Sequence, residues 1–148
     1  MSLPAPRSFT TRSGVTLNPS AVGLGTAPLG NMFQALSEAE AEATFRAALD
    51  GGVTYFDTAP LYGFGLAERR LGMALRGEAG GKYLVSTKVG RLLEIDRSPD
   101  YQAPPQWVDV PSRQIVYDYS YDGFMRSFEI SLERMGLDRV DILYCHDI

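Results

Sequence analysis

Two periods take turns along the chain, and their alternation predicts the architecture. Residues 53–56, Val53-Thr54-Tyr55-Phe56, are β-branched or aromatic throughout and read as a strand, and Asp57 follows where that strand must end. Ala41, Phe45, Ala48 and Leu49 instead recur at helical spacing; Ser37 and Glu40 form a capping box ahead of them, and Gly51-Gly52 supplies the stop. A second helical face, Ala67, Leu71, Ala74 and Leu75, opens at Leu66 and can end at Gly77. A third, Phe124, Phe128, Ser131, Leu132 and Met135, closes at Gly136. Further strands are predicted over residues 21–26, 83–89 and 140–146. Near the start, two short β-prone pieces flank Arg12-Ser13-Gly14, which suits a tight hairpin turn; this hairpin is expected to serve as a cap or plug.

Residues 90–119 show no clean period, and Pro99, Pro104, Pro105 and Pro111 rule out regular structure through much of the segment. A loop of that length inside a compact domain is usually functional or disordered. Tyr101, Trp107 and Tyr117 argue for a loop that packs on or covers something, with shielding of the core edge as the plainer alternative. Gly23-x-Gly25 is not a dinucleotide fingerprint, because the third glycine is missing and no helix opens directly after it.

The order is hairpin, then strand and helix three times, then a strand. Each helix supplies the crossover that parallel neighbours need, so the sheet is predicted to be parallel. Asp57, Lys88 and His146 each stand at the end of a strand, and Tyr62 follows Asp57 in a Gly-flanked turn closed off by Pro60. All four therefore lie at the carboxyl edge, where barrels and open α/β sheets both place their active sites. A barrel is favoured, since an open nucleotide-binding sheet would show its glycine-rich turn after the first strand.

Composition narrows the partners. The 148 residues are 45% apolar, enough for one core and too few for two comfortable domains. Lysine plus arginine number 14 against 18 acids, a net charge of −4, with no basic run, so a nucleic-acid partner is not expected. No apolar run reaches the roughly 20 residues of a membrane span. The start, Met1-Ser2-Leu3-Pro4-Ala5-Pro6, lacks the pattern of a signal peptide, and a soluble, cytoplasmic protein is expected. Cys145 is the sole cysteine; it excludes an internal disulfide or thiolate cluster and is expected to pack as a small apolar residue.

The joint order of Gly52-Val53-Thr54-Tyr55-Phe56-Asp57-Thr58-Ala59-Pro60-Leu61-Tyr62-Gly63, of Ser86-Thr87-Lys88, of residues 131–137 and of residues 140–146 closely resembles the aldo/keto reductase superfamily. Residues 25–30, 88–93 and 117–123 are most similar to its branch of aldose and fucose dehydrogenases and pyridoxal 4-dehydrogenase. The resemblance implies an α/β fold, a parallel (β/α)8 TIM barrel, and hydride transfer between NADP or NAD and a small carbonyl or alcohol such as an aldose, a fucose-like sugar or a pyridoxal-like aldehyde. Tyr62 would give or take the proton. A free phenol near a pKa of about 10 is poorly matched to neutral pH, so Lys88 would favour the phenolate while Asp57 holds that lysine. His146 would orient and polarise the carbonyl oxygen. Gly25, Thr26 and Asp57 would touch the nicotinamide end, and no metal is needed.

Such a barrel takes about 250 residues or more. Residues 1–148 are therefore expected to carry its N-terminal half as a single partial domain: the hairpin, strands 1–4 and helices 1–3. The open edges of such a sheet are expected to meet a C-terminal half-barrel or a second copy of the chain. The reading from another class is a non-catalytic, barrel-derived subunit that senses cofactor or binds a partner, or an inactive fragment.

Overall fold

The structure, a computed structural model, describes residues 4–78 and 82–148, so Met1-Ser2-Leu3 of the start segment lie outside the described residues. In chain order the elements are β1 (Phe9–Thr10), β2 (Thr16–Leu17), β3 (Leu24–Gly25), a 3-10 turn (Pro28–Gly30), α1 (Glu38–Asp50), β4 (Tyr55–Asp57), α2 (Leu66–Leu75), β5 (Leu84–Val89), β6 (Arg91–Ile95), β7 (Arg113–Tyr117), α3 (Tyr121–Met135) and β8 (Ile142–Cys145). Among the described residues no helix is long and apolar enough to cross a membrane.

The principal sheet has the order β3-β4-β5-β8, every neighbouring pair parallel, with one of the three helices in each crossover. Local chemistry sets the helix ends. Ser37 and Glu40 make the reciprocal capping box of α1, the Ser120 hydroxyl accepts from Gly123 N to cap α3, and Gly136 closes α3 in the left-handed conformation.

Register then sorts the side chains. Leu24 pairs with Phe56 and Phe56 with Val85, which sends the fully buried Phe56 and Val85, with the partly buried Leu24, toward the helices. There they meet Phe45 of α1, Leu71 and Leu75 of α2 and Met135 of α3 in one apolar core. Burying a side chain of this size stabilises the fold by about 1.5–3 kcal/mol. Gly72 brings α2 against α3, since a Cβ there would lie 1.8 Å from the Met135 carbonyl oxygen. A polar clip joins the same elements: fully buried Glu68 of α2 accepts from Thr87 of β5 at 2.7 Å and pairs with Arg134 of α3.

The hairpin forms as predicted, turned by Gly14 at φ 87° with Thr11 N donating to Val15 O at 2.8 Å. It shares a cleft with Thr54, Tyr83 and Leu84, at the amino ends of β4 and β5. That is the end remote from Asp57 and Lys88, where a plug leaves the carboxyl edge open.

Two expectations are corrected. The irregular segment 90–119 is bounded by strands: β6 and β7 pair antiparallel from Arg91↔Tyr117 to Ile95↔Arg113, and all the prolines named above fall in the connection between them. The partner strand is distant in the chain and both faces are partly exposed, so no local alternation announces the pairing. Cys145 is exposed rather than packed. It belongs to β8, which among the described residues has a strand neighbour on one side only, and Leu143 and Tyr144 are exposed beside it.

Candidate active site

In a strand, alternate residues share a face, so register decides which strand-end side chains meet. Asp57 pairs with Ser86, and Lys88 with Tyr144. Tyr55, Asp57, Ser86, Lys88 and Tyr144 therefore occupy the sheet face opposite the helical core. His146 continues that parity just past β8, its N–H donating to Val89 O at 3.0 Å.

The predicted groups converge there. Lys88 Nζ donates to Asp57 Oδ2 at 2.8 Å and to the Thr58 carbonyl oxygen at 2.9 Å. An ammonium has three N–H donors, so one remains unspent by these bonds. The Tyr62 ring centroid lies 4.5 Å from Nζ, and the His146 ring meets Tyr62 edge-on at 6.1 Å between centroids. Asp57, Tyr62, Lys88 and His146 thus form one cluster although the chain separates them widely.

Tyr62 is held by backbone rather than by a strand. Its loop turns through Gly63, Phe64 and Gly65, all at positive φ, and Tyr62 O accepts from Ala67 N at 3.1 Å as α2 begins. The loop after β3 presses directly on it. A Cβ on Gly63 would stand 2.3 Å from Gly30 O, so only glycine admits this contact.

His146 is buried, at 6% exposure, with Nδ1 unpartnered and Nε2 3.8 Å from Asp147 Oδ2. Burial pushes its pKa down, and the Arg91 and Lys88 cations push it further, against the pull of Asp147 and Asp57; the result is about 4. At neutral pH the imidazole is uncharged, with one N–H to donate and one nitrogen to accept.

Trp107 packs as the aromatic content of its loop suggested. It is buried, 6.4 Å from the Tyr62 ring and edge-on to Phe64 at 6.5 Å. The loop is tied to the segment after β3 by Phe33 N to Gln106 O at 2.7 Å and Val108 N to Asn31 O at 3.0 Å.

Two groups to which sequence reasoning assigns no role organise this frame. Arg70 of α2, itself buried, donates to Leu29 O at 2.7 Å, Asn31 Oδ1 at 2.8 Å, Leu36 O at 2.8 Å and Glu38. The available signal was a cation three residues after Ala67 and four before Ala74, on the apolar face of the helix. Ser86 donates to Asp57 Oδ1 at 2.7 Å; the Ser86-Thr87-Lys88 motif contains it, but no local pattern gives it this partner.

The residues expected at a nicotinamide differ in access. Gly25 is exposed, stands in register with Asp57, and has open space where a Cβ would be. Thr26 is fully buried beside it, its hydroxyl lacking a partner and its N–H donating to Asp57 O at 2.9 Å. An open glycine at a strand end next to a carboxylate leaves room for a flat polar ring laid across this edge, with the fully buried Thr26 contributing through its backbone bond to Asp57. Among the described residues no group of acids, histidine and cysteine could hold a metal ion.

Comparison with known proteins agrees with the fold. The aldo/keto reductase family model matches residues 21–148. The chain is 45% identical over 145 residues to pyridoxal 4-dehydrogenase from Microbacterium luteolum, covering 93% of this chain and 42% of the relative. It is 43% identical over 134 residues to D-threo-aldose 1-dehydrogenase from a Pseudomonas species, covering 86% and 40% respectively. A holo-form aldo-keto reductase structure from Bacillus halodurans superposes with a TM-score of 0.69 at 28% identity, over 94% of this chain and 39% of that one. The chain thus spans about two fifths of the length of these relatives. Its parallel sheet and helical crossovers are those of a fragment of the TIM barrel. By its motifs, its sheet order and the family match over most of its length, the chain belongs to the aldo/keto reductase family.

Proposed function

We propose that this chain carries the proton-transfer corner of a nicotinamide-dependent oxidoreductase acting on a small carbonyl or alcohol of the aldose or pyridoxal-like class. The observation that carries the reading is the Lys88 ammonium, held by Asp57 and the Thr58 carbonyl and lying over the Tyr62 ring. The cofactor, NADP or NAD, supplies or accepts the hydride. Gly25 and Asp57 would flank its nicotinamide end, with Thr26 supporting that edge from beneath.

The remaining work falls to this chain's own side chains. In the reducing direction the Tyr62 hydroxyl gives its proton to the carbonyl oxygen, and in the oxidising direction the phenolate takes it back. Lys88 stabilises that phenolate through its charge, and Asp57 keeps the ammonium in place. His146, neutral, donates an N–H to the substrate oxygen and so orients the carbonyl. Trp107 would wall the substrate side of Tyr62. In this reading residues 1–148 are the first half of the barrel, and β3 and β8 pair with strands of its second half.

Tyr62→Phe tests the assignment because it removes one oxygen and leaves the ring. Turnover of pyridoxal-like aldehydes and aldoses, followed by nicotinamide absorbance, should fall by about a hundredfold or more while the far-UV circular dichroism is unchanged. Undiminished turnover would reject Tyr62 as the proton donor.

A further inference from the structure

On the inner face of the sheet a row of hydroxyls leads into the Asp57–Lys88 pair. Asp57 Oδ2 receives Lys88, and its other oxygen, Oδ1, receives the Ser86 hydroxyl at 2.7 Å. A carboxylate only accepts, so Ser86 must spend its single proton on Asp57. Its lone pairs are then free to accept, and the Tyr55 phenol lies 3.0 Å from the same oxygen. The row therefore has one polarity: Tyr55 donates to Ser86, and Ser86 donates to Asp57. Both bonds follow from register, since Ser86 stands opposite Asp57 and Tyr55 shares Asp57's face.

We propose that Ser86 is a positioning residue for the reaction: its hydroxyl fixes the Asp57 carboxylate in the orientation that clamps Lys88 beside Tyr62, and Tyr55 in turn fixes Ser86. The inference rests on the roles given to Asp57, Lys88 and Tyr62 above.

Ser86 is fully buried, whereas the Asp57 side chain is 29% exposed and within reach of water. A partly solvated carboxylate turns freely unless its second oxygen is tied, and a rotation that carries Oδ2 away releases the ammonium. Hydrogen bonds to an ionised acceptor are about twice as strong as neutral ones, so Ser86 is well matched to that task. Burial, opposed by the Ser86 hydrogen bond and reinforced by Tyr144 and Asp57, pushes the Tyr55 phenol up to about 12, so it stays protonated throughout the working range.

The test combines kinetics with a direct view of the ammonium. Lysine occurs within residues 1–148 only at positions 82 and 88, so these residues contribute two side-chain signals to the 15N-lysine ammonium spectrum, and Lys82→Arg and Lys88→Arg assign them. Ser86→Ala should lower kcat about tenfold, leave KM within about twofold, and broaden the Lys88 signal through faster exchange with water. Ser86→Thr keeps the hydroxyl and should restore both kcat and the signal. Unchanged kcat and an unchanged Lys88 signal in Ser86→Ala overturn the proposal, as does Ser86→Thr behaving like Ser86→Ala with the fold intact. Should Ser86→Ala fail to fold, Tyr55→Phe decides: attenuation of the Lys88 signal supports the row, and an unaltered signal overturns it. A silent Ser86→Ala beside an inactive Tyr62→Phe removes this inference and leaves the functional reading standing. Full turnover in Tyr62→Phe removes the reading itself, and the catalytic role of Ser86 with it.

Discussion

His146 is the one histidine in the chain, so its protonation can be followed without ambiguity. Burial and the Arg91 and Lys88 cations depress its pKa from an ordinary 6.5 to about 4. At about 1.4 kcal/mol per pH unit, a shift of that size corresponds to on the order of 3 kcal/mol between the folded and unfolded states. The sign follows from which state binds the proton. The unfolded chain protonates as the pH drops below about 6.5 while the folded imidazole stays neutral, so this contribution to stability is whole above pH 6.5 and lost as the pH falls toward 4. Below about pH 4 both states are protonated and the loss levels off. The imidazole C2 proton, followed by NMR against pH, should therefore titrate near 4, and Arg91→Met should move the midpoint upward by removing a facing cation. Urea unfolding of the wild type and of His146→Gln at a series of pH values isolates the effect on stability. Glu38, Glu40 and Asp118, which their hydrogen-bonding partners hold low, titrate in both proteins and cancel in the difference. The wild type should lose about 3 kcal/mol more than the variant between pH 7 and pH 4. A midpoint near 6.5, or a difference that does not change with pH, would refute the argument that burial and facing cations keep this ring neutral.

Two further substitutions probe the frame around the site. Gly72→Ala should gain about 1 kcal/mol on helix propensity alone. The 1.8 Å approach of its new Cβ to the Met135 carbonyl oxygen reverses that sign. A loss of about 2 kcal/mol or more is expected in denaturant melts, and a more stable variant would show that α2 and α3 do not cross so closely. Arg70→Met keeps the apolar stem but leaves Leu29 O, Asn31 Oδ1 and Leu36 O without their donor. The expected cost is on the order of 3 kcal/mol. Because Asn31 O accepts from Val108 N, the fluorescence of Trp107, the sole tryptophan, should change with it; unaltered emission and stability would refute Arg70 as the organiser of this loop.

Much of the architecture was legible because its signals are local. The capping box at Ser37 and Glu40, the glycine stops at Gly77 and Gly136, and the helical faces built on Phe45 and Leu71 can be read within a turn or two of chain, whereas α3 buries Gly123, Ser127, Ser131 and Met135 and leaves the expected Phe124 and Phe128 only partly buried. The pairing of β6 with β7 was missed because neither strand alternates in burial and each finds its partner across a proline-rich connection. Arg70 was passed over because a charged residue on an apolar face is meaningful only once its acceptors are known. Cys145 is exposed because, among the described residues, nothing covers the outer edge of β8.

The sequence by itself determined the alternation of strand and helix, hence a parallel sheet, and placed Asp57, Lys88 and His146 at strand ends with Tyr62 in the loop after the first of them. Local propensity and period carry that information, and they act over a few residues. Only the tertiary structure decided that these side chains share one face, that Ser86 stands opposite Asp57, and that Lys88 has donors committed to Asp57 and the Thr58 carbonyl. It also decided that His146 is neutral. Register and burial are set by contacts between segments far apart in the chain, and a slip of one residue would have turned the same groups into the apolar layer under the helices.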